Sequence, residues 1–387
     1  MPGRNFLFVP GPSNTPDRIQ RAMHRATDDH RSSSFPELTR AILPRLKEVF
    51  GTTSAQTFVF PSTGSGMWEA ALVNTLSPGD RLLAVRGGQF GHLFIDSARR
   101  LGYRADVIET DWGAAVPPDR IEEALSADSA HEIKGVLVVH NETSTGVTSD
   151  IAAVRRAIDA ANHPALLYVD GVSSVASLEF RMDDWGVDLA IAGSQKGFML
   201  PAGLGILAVG PKALASRESA RSPRAFFDLG PMMQQNAQGY FPYTPAVTLL
   251  YGLREALDML LEEGLEKVYS RHHRLANACR AAVKAWGLSL CATDPAAYSD
   301  TVSTVMTRAA TNSNTIIDIA YRHYNLSLGA GLGQLGGKAF RIGHLGDLNE
   351  LMLLGALTGV EMTLKKAGVD VELGSGVAAA QGELMKG

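Results

Sequence analysis

Short unbroken apolar blocks recur through the first half of the chain, and most end in a polar loop containing glycine or serine. They lie at 57–60 (TFVF), 81–85 (RLLAV), 135–139 (GVLVV), 165–169 (ALLYV), 189–192 (LAIA) and 205–209 (GILAV), with a weaker one at 105–108 (ADVI). Unbroken rather than alternating apolar character marks strands covered on both faces, as in a parallel sheet. Between the blocks the apolar period becomes helical. An apolar helical stretch begins at Met67, after PSTGSG, and Ile151, Val154 and Ile158 recur at helical spacing behind Ser149 or Asp150 as N-cap. Strands alternating with helices predict an α/β fold with right-handed crossovers: a large domain whose mainly parallel sheet is flanked by helices.

The pattern changes after about residue 245. Leu249, Leu250, Leu253, Leu257, Leu260 and Leu261 predict a long helix, followed by shorter elements such as a strand at 301–306 (TVSTVM) and a helix near 348–364. We therefore expect an N-terminal arm over 1–20, a large domain over 21–260 and a smaller C-terminal α+β domain over 261–387, with the last residues, 379–387, loose. A chain of 387 residues is long for a single core, which agrees with two domains. The composition is that of a globular protein, with 45% hydrophobic and 20% charged residues. A net charge of −4 gives no basic excess with which to hold nucleic acid or an anionic membrane. No stretch approaches the roughly 18 apolar residues of a membrane span. The start of the chain carries only a short apolar run broken by prolines, so a cytoplasmic protein is expected. Cys279 and Cys291 have no metal-ligand spacing and read as small buried apolar side chains; no metal site is expected.

In such a sheet, ligands bind beyond the carboxyl ends of the strands. Four loops there carry suggestive residues. Pro61-Ser62-Thr63-Gly64-Ser65-Gly66 joins a strand to a helix, where backbone N–H groups and the helix N-terminus favour an anion such as phosphate; an ordinary strand–helix loop has the same composition. Asp170 ends an apolar strand, where a carboxylate is costly unless paired; it either caps the next turn or holds a proton on a heterocyclic nitrogen. Lys196, in Gly193-Ser194-Gln195-Lys196-Gly197, also follows a buried strand, and is either a surface lysine or a Schiff-base lysine. The run His140-Asn141-Glu142-Thr143-Ser144-Thr145-Gly146 is either a polar loop or a pocket wall. An anion cradle, a carboxylate and a lysine, in that order on one frame, are what pyridoxal 5'-phosphate requires.

At these residues the chain resembles the fold-type I, class V aminotransferases, in the group that includes alanine–glyoxylate, serine–glyoxylate and aspartate–glyoxylate aminotransferases. FVPGPSNTP, STGSG, HNETSTGV, YVDGVSS, GSQKG, GYFPYTP and GKAFRIGHLG follow the family order over nearly the whole chain. The resemblance implies pyridoxal 5'-phosphate on Lys196, with Asp170 on the pyridine nitrogen. Thr63, Gly64 and Ser65 would hold the phosphate, aided by Gln195 and by Thr244 from a neighbouring subunit. Phe90 would stack on the cofactor where relatives often have Trp, and Thr143 would lie near its phenolic oxygen. Arg341 would clamp the substrate carboxylate. A homodimer or higher homo-oligomer with shared active sites is implied. One departure stands out: Phe241 occupies a position where relatives commonly carry Tyr, and Tyr240 or Tyr243 would have to substitute.

The implied reaction is amino transfer to glyoxylate, giving glycine. Whole-chain likeness, especially PGRNFLFVPGPSN, GYFPYTP and LLYGLREAL, favours serine as donor and hydroxypyruvate as the other product. Arg31, beside His30, would instead suit the second carboxylate of aspartate if it faces the site; otherwise it is a surface or interface arginine. Three other classes fit less well. A cysteine desulfurase-like lyase needs a nucleophilic Cys on a Gly/Ser loop, and neither Cys279 nor Cys291 has that setting. A nicotinamide dehydrogenase would need GxGxxG after its first strand. A non-catalytic relative would lack Lys196 or Asp170.

Overall fold

The computed structural model describes residues 4–309 and 311–386. Twelve strands of the described residues organise the site: β1 (Phe6–Phe8), β2 (Gln56–Pro61), β3 (Arg81–Arg86), β4 (Arg104–Glu109), β5 (Ile133–Val139), β6 (Leu166–Asp170), β7 (Leu189–Gly193), β8 (Leu204–Val209), β9 (Ser289–Leu290), β10 (Val302–Met306), β11 (Leu326–Ala330) and β12 (Ala339–Gly343). Seven of them form one sheet in the order β2-β8-β7-β6-β5-β3-β4. β3 to β7 pair in parallel, whereas β8 runs antiparallel to both β2 and β7. Every residue of β6, β7 and β8 is buried, which explains their unbroken apolar sequences.

The five remaining strands form a second sheet in the order β1-β11-β12-β10-β9, antiparallel except for the β1–β11 pair. Each sheet has its own hydrophobic core. The first gathers residues from Ile19 to Val268 and the second adds Phe8 to residues from Leu275 to Ala380. The helix Leu265–Ala285 contributes to both, through Val268 and then Leu275, Ala278 and Ala282. The N-terminal segment likewise ties Phe8 to the small sheet and Ile19 to the large core.

The C-terminal segment differs from the sequence expectation. Ser375–Leu384 is a helix, with Ala380 fully buried in the second core. Its start is held by Glu361, which accepts from the Gly376 backbone N–H at 2.7 Å and from the Trp286 indole at 2.8 Å. Residue 387 lies outside the described residues. Among the described residues no helix is long and apolar enough to cross a membrane.

Two helices border the carboxyl ends of the parallel strands. α1 (Gly64–Thr75) starts directly after β2 and α2 (Gln89–Arg100) after β3. Parallel connections bring the starts of both helices to the same sheet edge as the ends of β5, β6 and β7.

Candidate functional site

Lys196 sits three residues past the end of β7 in a tight loop. Ser194 shapes that loop: its hydroxyl donates to the Pro201 carbonyl at 2.8 Å and accepts from the Leu204 backbone N–H at 3.1 Å. The N-terminal segment embraces the same loop. Ser13 N–H donates to the Gln195 carbonyl at 3.0 Å, and its hydroxyl donates to the Lys196 carbonyl at 2.9 Å. The Lys196 ammonium donates to the Pro10 carbonyl. Gly11, at φ +115°, lies so close that any β-carbon there would occupy the space of the Lys196 amine. Lys196 is only 8% exposed. Burial, reinforced by the charge of Arg341 and opposed by Asp170 and Glu142, lowers its amine to about 8.

Asp170 is the last residue of β6, one strand away from β7, and is 3% exposed. Burial pushes its carboxyl up to about 6, against two hydrogen bonds that favour the ionised form. The Val172 backbone N–H donates to Oδ1 at 2.9 Å, and the Trp68 indole donates to Oδ2 at 3.0 Å. Asp170 and Lys196 each favour the charged form of the other.

The loop after β5 forms the facing wall. Its first strand residues, Asn141–Glu142, fold back on Val147–Thr148. Thr143 is buried, and its hydroxyl donates to Ser173 Oγ at 2.7 Å, linking this loop to the one that follows Asp170. Arg341, in the middle of β12, reaches across from the second sheet. Its Nη1 donates to the Thr143 carbonyl at 3.1 Å and its Nε to the Ala330 carbonyl at 2.8 Å. Among the described residues no carboxylate forms an ion pair with Arg341, although it is 7% exposed. Burial lowers its guanidinium to about 10, partly offset by Glu142, so it stays cationic at neutral pH. A buried guanidinium bonded only to carbonyls has a donor edge to offer an incoming carboxylate.

Thr63 is the N-cap of α1, in extended conformation, and no side chain caps the helix. The first N–H groups of that helix are thus open to an anion, beside exposed Thr63 and Ser65 and buried Gly64. Gln195 Oε1 is buried without a hydrogen-bond partner among the described residues, and it lies 2.9 Å from where a β-carbon on Gly193 would sit. Phe90 is half-buried in the first turn of α2 and packs against the large core.

Three sequence-selected residues fall elsewhere. Thr244 is exposed, and no hydrogen bond among the described residues links it to this cluster. Arg31 is also exposed, its backbone N–H bonded to Asp29. Phe241 is buried edge-on to Phe35, with ring centroids 6.2 Å apart. The two nearby tyrosine hydroxyls are engaged within the chain: Tyr240 donates to the Ser32 carbonyl at 3.2 Å and Tyr243 to the Ala225 carbonyl at 3.0 Å. Pro10, Ser13 and Trp68 complete the surroundings of Lys196 and Asp170 and were not selected from sequence. Their signal was present only as position within FVPGPSN and within an apolar helix.

The arrangement fits pyridoxal 5'-phosphate. It has an uncapped helix N-terminus for the phosphate, a buried carboxylate for a ring nitrogen, and an amine whose lowered basicity makes it nucleophilic near neutral pH. The unpaired Gln195 oxygen and the free edge of Arg341 are polar groups that a ligand would satisfy. The two thiols offer no nucleophile, because burial raises both Cys279 and Cys291 to about 11.

Comparison with known proteins agrees with this geometry. The model of the family "Aminotransferase class-V" matches residues 6–323. A serine–glyoxylate aminotransferase of Methylorubrum extorquens is 58% identical, covering 99% of this chain and 96% of its own. An L-aspartate–glyoxylate aminotransferase of Paracoccus denitrificans is 53% identical, covering 98% and 96%. Among solved structures, the ureidoglycine–glyoxylate aminotransferase of Bacillus subtilis superposes with a TM-score of 0.93 at 27% identity, covering 100% and 99%.

Proposed function

Because the chain belongs to the class-V aminotransferase family, whose fold is that of pyridoxal 5'-phosphate enzymes, we propose that it transfers the amino group of L-serine to glyoxylate, giving hydroxypyruvate and glycine. The likeness to the Methylorubrum serine–glyoxylate enzyme over nearly the full length of both chains carries this reading. The aspartate–glyoxylate relative motivates the second reading, with aspartate as donor. Arg31, which that reading would use, is exposed, with its backbone N–H bonded to Asp29.

In this proposal Lys196 holds the cofactor covalently, and Asp170 keeps a proton on its pyridine nitrogen. Thr63, Gly64, Ser65 and Gln195 bind the phosphate. Thr244 of a second copy would complete that cradle in a homodimer, in keeping with its exposure. Phe90 would lie against the ring and Thr143 near the phenolic oxygen. Bound there, the cofactor supplies an electron-withdrawing ring that makes an amino acid's α-proton acidic.

Everything else falls to side chains of the protein. Arg341 would bind the α-carboxylate of serine and then the carboxylate of glyoxylate, and so present the reacting carbon of each at the same place. Lys196 Nζ, when not bonded to the cofactor, would be a neutral base able to take the α-proton and to give it back; its lowered basicity places it near the operating pH. Asp170 remains anionic at neutral pH because Val172 and Trp68 donate to it. The buried wall formed by the loops after β5 and β6 keeps water from the base.

The test is borohydride reduction of protein incubated with pyridoxal 5'-phosphate, followed by peptide mass mapping, alongside glycine formation from glyoxylate. Attachment at Lys196 with serine-dependent glycine formation supports the proposal. Attachment at another lysine, or none, rejects it.

A further inference from the structure

Glu142 has no chemical task in amino transfer, yet its carboxylate is among the most heavily hydrogen-bonded in the region. It is 6% exposed. Oε2 accepts the backbone N–H groups of Phe90 and Gly91, each at 3.0 Å, and Oε1 accepts the Ser144 backbone N–H at 3.0 Å and the Ser144 hydroxyl at 2.6 Å. Among the described residues it makes no ion pair. A buried carboxylate without a counter-ion is costly unless fully hydrogen-bonded, and the start of α2 offers both donors and a positive dipole end.

This contact requires a glycine. Gly88 is the N-cap of α2, and a β-carbon there would collide with the Glu142 side chain and come within 2.7 Å of Ser144 Oγ. Residues 87–92 (GGQFGH) and 140–147 (HNETSTGV) are thus two halves of one joint: one removes a side chain so that the other can insert a carboxylate.

Three parts of the site depend on that joint. Phe90 is in the turn that Glu142 holds. One helical turn on, Phe94 stacks on Trp68 with ring centroids 5.2 Å apart at 17°, and Trp68 in turn donates to Asp170. On the other side, Thr143 follows Glu142 directly and its carbonyl receives Arg341.

We propose that Glu142 is a positioning residue for amino transfer, fixing as an anion the helix that carries Phe90 against the loop that carries Thr143, and balancing the charge on Lys196 and Arg341. It acts through Phe90, Gly91 and Ser144, to which it is bonded, and its role rests on the aminotransferase reading. The Glu142 and Asp170 carboxylates favour the charged form of the Lys196 amine, and the Arg341 guanidinium disfavours it.

The experiment compares Glu142→Gln, which keeps the size and removes the charge, with Glu142→Asp, which keeps the charge. In protein freed of cofactor, the pH midpoint of Lys196 acetylation is read from the mass of its peptide. Losing the anion lowers that midpoint in Glu142→Gln, whereas Glu142→Asp stays at the wild-type value. In the loaded enzyme, Glu142→Gln lowers kcat by about tenfold to a hundredfold through misplaced groups, and Glu142→Asp recovers most of it.

A wild-type midpoint in Glu142→Gln overturns the charge role. Equal losses of kcat in the two variants, or none in either, overturn the positioning role and leave a simple helix cap. If Glu142→Gln fails to fold, a wild-type kcat in Glu142→Asp supports the proposal and a loss matching that of a Gly88→Ala control contradicts it. A wild-type protein that neither attaches pyridoxal 5'-phosphate nor forms glycine refutes the aminotransferase reading, and the midpoint comparison still decides the charge of Glu142.

Discussion

Trp68 donates its indole N–H to Asp170 Oδ2 at 3.0 Å across 102 residues of sequence. This bond partly offsets the burial that pushes Asp170 up to about 6. Replacing Trp68 by Phe keeps the ring that stacks on Phe94 and removes the donor. A hydrogen bond to a charged group is worth about 1.5–3 kcal/mol, so Asp170 should rise by roughly one to two further pH units. The acid limb of kcat against pH then moves upward by a similar amount. An unmoved limb would mean that Asp170 does not act as an anion in turnover.

Asp170 also has a cost in the protein without cofactor. Its folded-state pKa lies above its unfolded value, so the stability it contributes is present below about pH 4 and lost as the pH rises through about 6. Asp170→Asn should therefore stabilise the cofactor-free protein at pH 8 relative to wild type, by up to about 3 kcal/mol, and lose that advantage at pH 4. Thermal unfolding at the two pH values measures it. The same variant should lose amino transfer by at least about a hundredfold, because a neutral amide cannot hold the ring proton.

Lys196 should capture pyridoxal 5'-phosphate at a rate that follows its neutral fraction. With the amine lowered to about 8, capture rises by about tenfold per pH unit below that value and levels off above it. An ordinary lysine would keep rising to about pH 10. Stopped-flow absorbance across the pH range separates the two. Lys196→Ala should show neither capture nor turnover.

Arg341→Ala removes the buried cation that is bonded to the Thr143 carbonyl. The carboxylate clamp is worth roughly 1.5–3 kcal/mol, so KM for both the amino donor and glyoxylate should rise about tenfold to a hundredfold. A rise for one acid only would show that the two substrates do not share this arginine.

Much of the site is legible in the sequence. Asp170 and Lys196 stand out because charged residues at the ends of wholly apolar strands are expensive, and the structure finds both buried, Asp170 at the end of β6 and Lys196 in the loop that follows the adjacent β7. The loops after the strands are legible for the same reason: topology forces them to one edge. Trp68 is not legible, because a Trp in an apolar helix looks like core until its indole is seen to meet a carboxylate. Glu142 is visible only as one member of a polar run, since the donors to its Oε2 belong to a helix about 50 residues earlier. The direction of β8 is also hidden, because an apolar strand reads the same in a parallel or antiparallel position. The helix Ser375–Leu384 escapes a sequence reading because its start depends on Glu361 and Trp286, not on a local capping residue.

Serine–glyoxylate transfer is tested most directly by ranking the amino donors. With glyoxylate as acceptor, glycine formation is measured for serine, aspartate and alanine, and kcat/KM is compared for the three. Serine should lead, and hydroxypyruvate should appear in equal amount to glycine. A higher kcat/KM for aspartate or alanine, or glycine formation that does not depend on the donor, would contradict the assignment.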